Sequence, residues 1–417
     1  MPEAPPLKHI ECDLMPAFGF KRLHLTLSVP TLPRGVRDAR FAEHRFDRMT
    51  GVATNSVMAI AAGGVVASDD LGQSWEFHPI PHLDDLRLRN AFTCDDGGRL
   101  LQTAEPLDSR DRVTVIRCDH SWNVTHVNQV GAAPWHGSRS IDQAGDVILY
   151  AEYPYNGARY SGVTKSNEPA VRSSCVYGSR DGGRSWSCVF RVDVSEIRHF
   201  HTLAADPYAP RMWWLSSGDR AQESRVWRSV DDGLTWQDVT GRDVQVELHP
   251  TLGKDQWQRA YRYTDLVVLP DHLIWGCDDW LGDRSRGLSV QTGGNDGNRA
   301  GSKLFVTSKE IPLAPREFGY VGNPVRSITD VGAGYLVTTE GKHPDILPGP
   351  QVVLISKSEP FAVQPLPALG EALSRGTSFS ASIASRAHKN GRFFTQRGAL
   401  DVFRGGPRIL QWDIDFN

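Results

Sequence analysis

Ser229-Val230-Asp231-Asp232-Gly233-Leu234-Thr235-Trp236 is one of three copies of a single eight-residue pattern. The others are Ser68-Asp69-Asp70-Leu71-Gly72-Gln73-Ser74-Trp75 and Ser179-Arg180-Asp181-Gly182-Gly183-Arg184-Ser185-Trp186. The shared form is Ser, any residue, Asp, any, Gly, any, Ser or Thr, then Trp. At ordinary residue usage it arises by chance about once in a million positions, so three copies mark an internal repeat. Each fixed residue has a task in a tight turn. The Ser and Asp side chains bond nearby backbone groups, and the Gly supplies a positive φ. The Trp opens the next strand and buries a large ring over the turn. Flanking residues alternate as strands do, for example Arg225-Val226-Trp227-Arg228 before the third copy.

These segments resemble the Asp-box, or bacterial neuraminidase repeat, of sialidase-like β-propellers. The resemblance implies an all-β ring of four-stranded antiparallel blades. It also implies that each box joins strands three and four of a blade, on the face away from an active site. A degenerate copy, Cys118-Asp119-His120-Ser121-Trp122, lies between the first and second boxes. The mean spacing of Trp75, Trp122, Trp186 and Trp236 is near 54 residues, which divides the 417-residue chain into roughly seven or eight units. An N-terminal tail over residues 1–18 and insertions reduce that to a seven-bladed propeller, with six blades as the alternative. The whole of 1–417 reads as one domain. A radially closed ring suits a chain with 39 Gly, 26 Pro and 12 Trp, because it leaves few exposed edges.

Composition narrows the partners. Lys and Arg total 46 against 49 Asp and Glu, a formal charge of −3, so nucleic acid is not an expected ligand. No apolar run reaches the length of a bilayer-spanning helix. The start, Met1-Pro2-Glu3-Ala4-Pro5-Pro6, shows no secretory signal, so a cytoplasmic location is expected unless the chain is a processed form. The six cysteines show no zinc-type spacing and read as buried thiols. Of these, Cys175 and Cys188 are near enough in sequence for a local bridge.

With the boxes on one face, the other face carries the ends of the second strands and the beginnings of the first. Second-strand candidates are 99–103, 147–151, 212–216, 272–276 and 335–339. Each stops at or just before an acid: Glu105, Glu152, Asp219, Asp278 and Glu340. First strands begin with basic or aromatic residues: Arg139, Arg198-His199-Phe200-His201, Arg259-Ala260-Tyr261-Arg262-Tyr263 and Arg326. Alternation sets His199 with His201, and Arg259 with Tyr261, on common faces. Such a mouth suits carbohydrate, since rings stack on sugars and charges bond hydroxyls or a sugar carboxylate. The stretch from Arg198 through Asp206-Pro207-Tyr208 and Trp213 to Gly218-Asp219, with Glu152-Tyr153 and Tyr261-Arg262, is similar to a signature in Asp-box proteins associated with polysaccharide metabolism.

Three functions are weighed. The first is a glycoside hydrolase acting on an acidic poly- or oligosaccharide. Glu152 and Asp219 would be its carboxylate pair, His199 and His201 would position the sugar, and Arg259 and Arg326 would hold an acidic substituent. Arg139, Asp278 and Glu340 complete the substrate-binding set. Sialic acid is not the expected substrate, since Phe20-Lys21-Arg22-Leu23 stands where an Arg-Ile-Pro motif is expected. The second is a polysaccharide lyase, as in the seven-bladed ulvan lyases that the architecture resembles. There Arg259 or Arg262 neutralises a uronate, His199 or His201 takes the C5 proton, and Tyr261 protonates the leaving oxygen. The third is a non-catalytic propeller that binds carbohydrate or protein. No cofactor is expected. No metal is assigned, because the histidine pair has no identifiable third ligand.

Overall fold

The computed structural model describes residues 8–28, 31–34, 36, 40–44, 57–61, 63–70, 72–81, 87–104, 113–131, 139–153, 173–193, 195–218, 221–241, 258–278, 302–339, 351–374, 382–383, 392–396 and 409–417. They form a seven-bladed β-propeller. Six blades are four-stranded antiparallel sheets in which consecutive strands pair in order. Blade one begins with strand Arg40–His44, blade two with Arg87–Thr93 and blade three with Ile141–Ala144. Phe200–Ala205, Tyr263–Val268 and Val325–Asp330 begin blades four, five and six.

The seventh blade closes the ring. Its first three strands, Ser382–Ile383, Arg392–Gln396 and Ile409–Phe416, come from the end of the chain, and Arg22–Ser28 and Lys8–Asp13 add the fourth and fifth. Leu23 lies opposite Phe416, Leu25 opposite Ile414 and Leu27 opposite Trp412. From residue 8 to 18 the expected tail is therefore corrected. Lys8–Asp13 is the outermost strand of the closing sheet, and Phe18 is buried in the same apolar cluster as Leu23, Leu25 and Trp412. The pattern His9-Ile10-Glu11-Cys12 is too short to announce a strand whose partner lies elsewhere in the chain.

Blade strands two and three are buried on both faces, because each sheet is sandwiched between neighbours. Val57–Ala61 and Val352–Ser356 are buried at every position, so their sequences run apolar without alternation. Consecutive residues then serve different interfaces. Trp213 packs toward blade three with Leu149, Ala151 and Val176, while Trp214 packs toward blade five with Tyr261, Tyr263 and Trp275.

The three repeated turns join strands three and four of blades one, three and four. In the third, the Ser229 hydroxyl donates to Asp231 Oδ1 at 2.8 Å and accepts the Gly233 amide at 2.9 Å. Asp231 also accepts the Thr235 amide at 2.9 Å and the Thr235 hydroxyl at 2.6 Å. The Trp236 indole donates to the Gly233 carbonyl at 3.1 Å. The same five bonds recur around Asp70 and Asp181. Gly72, Gly183 and Gly233 take φ of 80°, 90° and 79°.

The fourth, degenerate copy is a shorter turn at the same place in blade two. Asp119 keeps its acceptor role toward the Ser121 and Asn123 amides, both at 2.9 Å. With no glycine available, Trp122 itself adopts a φ of 67°. Its ring stacks on His78 of blade one, with centroids 4.3 Å apart, instead of capping its own turn.

Candidate functional site

The ends opposite the repeated turns gather polar side chains from blades three to six. Arg139 precedes the first strand of blade three and Tyr153 follows its second strand. His199 and His201 sit at the start of the first strand of blade four. Arg262 precedes the first strand of blade five, Asp278 follows its second strand, and Arg326 starts blade six. Each lies where a strand's backbone pairing begins or stops, so its side chain is held by a rigid sheet.

Two groups form within this mouth. In the first, His199 Nε2 and His201 Nε2 are 3.0 Å apart. Only one hydrogen fits between them, so one ring donates and the other accepts. The alternation expected for this pair is present, although a bulge between Phe200 and Thr202 interrupts the pairing with Trp213–Ser217. The Tyr153 ring covers His199, with centroids 3.8 Å apart, and stands 6.1 Å from that of His201.

In the second group, buried Asp278 joins two guanidinium groups, Arg326 at 3.2 Å and Arg262 at 3.4 Å. Arg139 is close enough to feel Asp265, Arg326, Asp278 and Tyr153. Burial is the largest influence on its pKa and lowers it. The nearby Arg326 acts in the same direction, while Asp265 and Asp278 oppose the change. The mouth therefore carries arginines at the edge of water, where a ligand carboxylate would exchange solvent for charged donors.

Asp142 and Asp265 brace the first strands behind this surface. Asp142 Oδ2 accepts the Ala205 amide of the next blade at 3.0 Å, and Asp265 Oδ2 accepts the Ile328 amide at 2.8 Å. Neither was singled out by sequence, because one Asp in a strand of mixed polarity carries no periodic signal. Tyr153 was named only beside Glu152, and strand period two could have found it. Ile148 and Tyr150 face blade two, whereas Leu149 and Ala151 face blade four, so Tyr153 follows the latter toward His199.

The same alternation turns Glu152 away from the mouth. Its carboxylate is buried, accepts the Cys175 amide at 3.0 Å and lies beneath Gly131, where a Cβ would come within 2.5 Å of Glu152 Oε1. Tyr261 also departs from expectation. Gln258–Tyr261 is a 3-10 helix, so strand alternation does not apply there. The Tyr261 hydroxyl donates to the Leu313 carbonyl at 2.8 Å, and the Gly241 amide donates to it at 3.2 Å. Its ring is fully buried, and burial pushes the phenol well above its ordinary value. Asp219, Glu340, Glu105 and the Arg259 side chain lie outside the described residues.

Among the described residues, no group of three or more His, Cys, Asp or Glu side chains is placed to hold a metal, and no helix is long and apolar enough to cross a membrane. A cleft of about 480 Å³ between blades one and two is lined by Asp69, Asp70, His78 and Trp122, but it lies on the face of the repeated turns. Asp69 pairs there with Arg99 at 3.2 Å, and Asp70 is engaged by its own turn.

No protein-family model matches the sequence, and no curated protein matches it. Solved structures with a similar shape include the AfRom2 CNH domain, 7% identical with a TM-score of 0.51, covering 94% of this chain and 99% of that one. YCF48 from Cyanidioschyzon merolae is 10% identical with a TM-score of 0.48, covering 91% and 97%. An ancestral GH74 enzyme is 16% identical with a TM-score of 0.44, covering 79% of this chain and 37% of that one. At such identities the likeness is one of fold.

Proposed function

We propose that the protein binds an acidic glycan at this mouth and cleaves it by β-elimination next to a uronate. The observation that carries the reading is the Tyr153–His199–His201 stack, beside the arginines grouped around Asp278. Elimination needs a cation on the sugar carboxylate, a base for the C5 proton and an acid for the departing oxygen. Arg139 and Arg326 supply the first, paired to the carboxylate so that negative charge developing beside C5 is stabilised. The base for the C5 proton is drawn from the His199–His201 pair, whose Nε2 atoms share one hydrogen. The C4–O bond breaks as the C4–C5 double bond forms, and the Tyr153 phenol gives its proton to the leaving oxygen.

Elimination is favoured over hydrolysis because Glu152, one half of the expected hydrolytic pair, is engaged by the Cys175 amide. Kinship with the sialidase-like Asp-box propellers belongs to the same proposal. It is supported by three turns with the same bonds at the same place in their blades.

The test is a panel of uronate polysaccharides, including alginate, polygalacturonate and ulvan, followed by the ultraviolet absorbance of the unsaturated product. Rising absorbance that Tyr153→Phe and His199→Ala both abolish supports the reading. New reducing ends without absorbance would refute elimination in favour of hydrolysis. Binding without any cleavage would refute catalysis.

A further inference from the structure

Behind the mouth, on the side of blade three that faces blade two, lies a second cluster of reactive groups. Cys175 is on strand three, Ser173–Ser179, and Cys188 on strand four, Ser187–Asp193. In register, Cys175 faces Arg191 and Cys188 faces Tyr177, with Val189 left over between paired residues. This bulge sets Cys188 diagonally across from Cys175 on neighbouring strands, where Cys188 Sγ donates to the Phe190 carbonyl at 3.5 Å and Cys175 Sγ lies 3.8 Å from Ser173 Oγ. Both cysteines are free, Cys175 is buried and Cys188 is exposed. Cys94, Cys118 and Cys277 are buried and Cys12 is half-buried, so Cys188 is the exposed thiol of the chain.

The surroundings divide the two thiols by role. The neighbouring Cys175 thiol lowers the pKa of Cys188, against the opposing effect of burial, and Arg191 lowers it further. The proximity of Cys188, and then burial, raises that of Cys175. An exposed sulfur diagonally across adjacent strands from a buried thiol is the arrangement of an attacking and a resolving cysteine.

We propose that Cys175 and Cys188 form a redox-active dithiol site, which a hydroperoxide oxidises to a disulfide across strands three and four of blade three. The Cys188 thiolate attacks one peroxide oxygen and the O–O bond breaks. Cys188 becomes a sulfenic acid, and the departing oxygen takes a proton and leaves as water or an alcohol. Cys175 sulfur then attacks Cys188 sulfur. The S–S bond forms, the S–O bond breaks, and the leaving hydroxide takes the Cys175 proton to give a second water. Two thiols are oxidised and one peroxide is reduced. The link would form next to the mouth, since Cys175 exchanges hydrogen bonds with Glu152, the neighbour of Tyr153.

The test treats the intact protein with hydrogen peroxide, alkylates the remaining thiols and maps the peptides by mass. The expected result is a peptide pair joined through Cys175 and Cys188, with the other cysteines alkylated and the link reversed by dithiothreitol. Cys175→Ser should leave Cys188 as a sulfenic acid that dimedone captures, and Cys188→Ser should leave Cys175 reduced. Wild-type protein with Cys188 carried to sulfinic acid while Cys175 remains alkylatable would overturn the proposal. So would Cys188 oxidising no faster than Cys12. Both readings use unmutated protein, so a poorly folding variant does not rescue the idea.

Discussion

Replacing Gly233 by Ala tests whether the repeated turns also lock blade to blade. Gly233 has a φ of 79°, and a Cβ there would come within 2.6 Å of Leu149 Cδ1, a fully buried side chain of blade three. Two costs combine. Left-handed backbone costs about 1–2 kcal/mol for a residue with a Cβ. Forcing a methyl into a filled interface costs about 1–3 kcal/mol more. Loss of glycine's freedom in the unfolded chain offsets about 0.4–1 kcal/mol. The net destabilisation is about 1–5 kcal/mol, centred on about 3, read from urea unfolding at matched m-values. Gly332→Ala is the control, because its φ is 86° and nothing lies within 4 Å of the added Cβ. It should cost only the backbone part, about 1 kcal/mol. Combining Gly233→Ala with Leu149→Ala should cost less than the sum of the single changes by about 1 kcal/mol or more, since the smaller side chain makes room. Equal costs for Gly233→Ala and Gly332→Ala, or strict additivity in the double variant, would refute the interlock.

The turns should also govern acid stability. Partial burial raises the pKa of Asp181 and Asp231, but the hydroxyl of Ser185 or Thr235, its amide and the serine hydroxyl outweigh that, and both carboxyls sit at about 2. Their folded values lie below the ordinary 3.8, so their contribution is full above that pH and is lost as pH falls toward about 2. Urea midpoints should decline over that window, and Asp231→Asn should flatten the decline. Tyr261→Phe removes the bonds to Leu313 and Gly241 and should cost about 1–3 kcal/mol in urea unfolding while leaving any glycan turnover unchanged. Glu152→Gln keeps an acceptor for the Cys175 amide. It should therefore preserve turnover, whereas a hydrolase relying on that carboxylate would lose it.

Much of the ring was legible because its turns repeat. The box positions fixed the strand three–four turns, and the five candidate stretches from 99–103 to 335–339 lie in second strands, apart from Met212, one residue before Trp213–Ser217. The site was legible only in part. Arg139, His199, His201, Arg262, Asp278 and Arg326 lie at strand ends on one side of the ring. The direction of a side chain at a strand end depends on which neighbouring blade that face meets, and Glu152 shows how this misleads. It follows Tyr150 into the interface with blade two, and Tyr153 takes the outward place. Tyr261 was misplaced for another reason. Arg259-Ala260-Tyr261 has the alternation of a strand, but the Tyr261 hydroxyl finds its partners in the core when the backbone coils there. The diagonal placing of Cys188 across from Cys175 depended on a bulge, which no pattern in Ser187-Cys188-Val189 announces.

The closing sheet also imposes an order on synthesis. Arg22–Ser28 leaves the ribosome early, yet its partner on one side is Ile409–Phe416, nearly the whole chain later. Blades one to six are each local in sequence and can pair as they emerge. The early strand must wait with a bare edge, and edges of that kind recruit other chains. Slowing elongation late in the chain would lengthen that wait, so the hazard for this protein in the cell falls before the ring is shut rather than after.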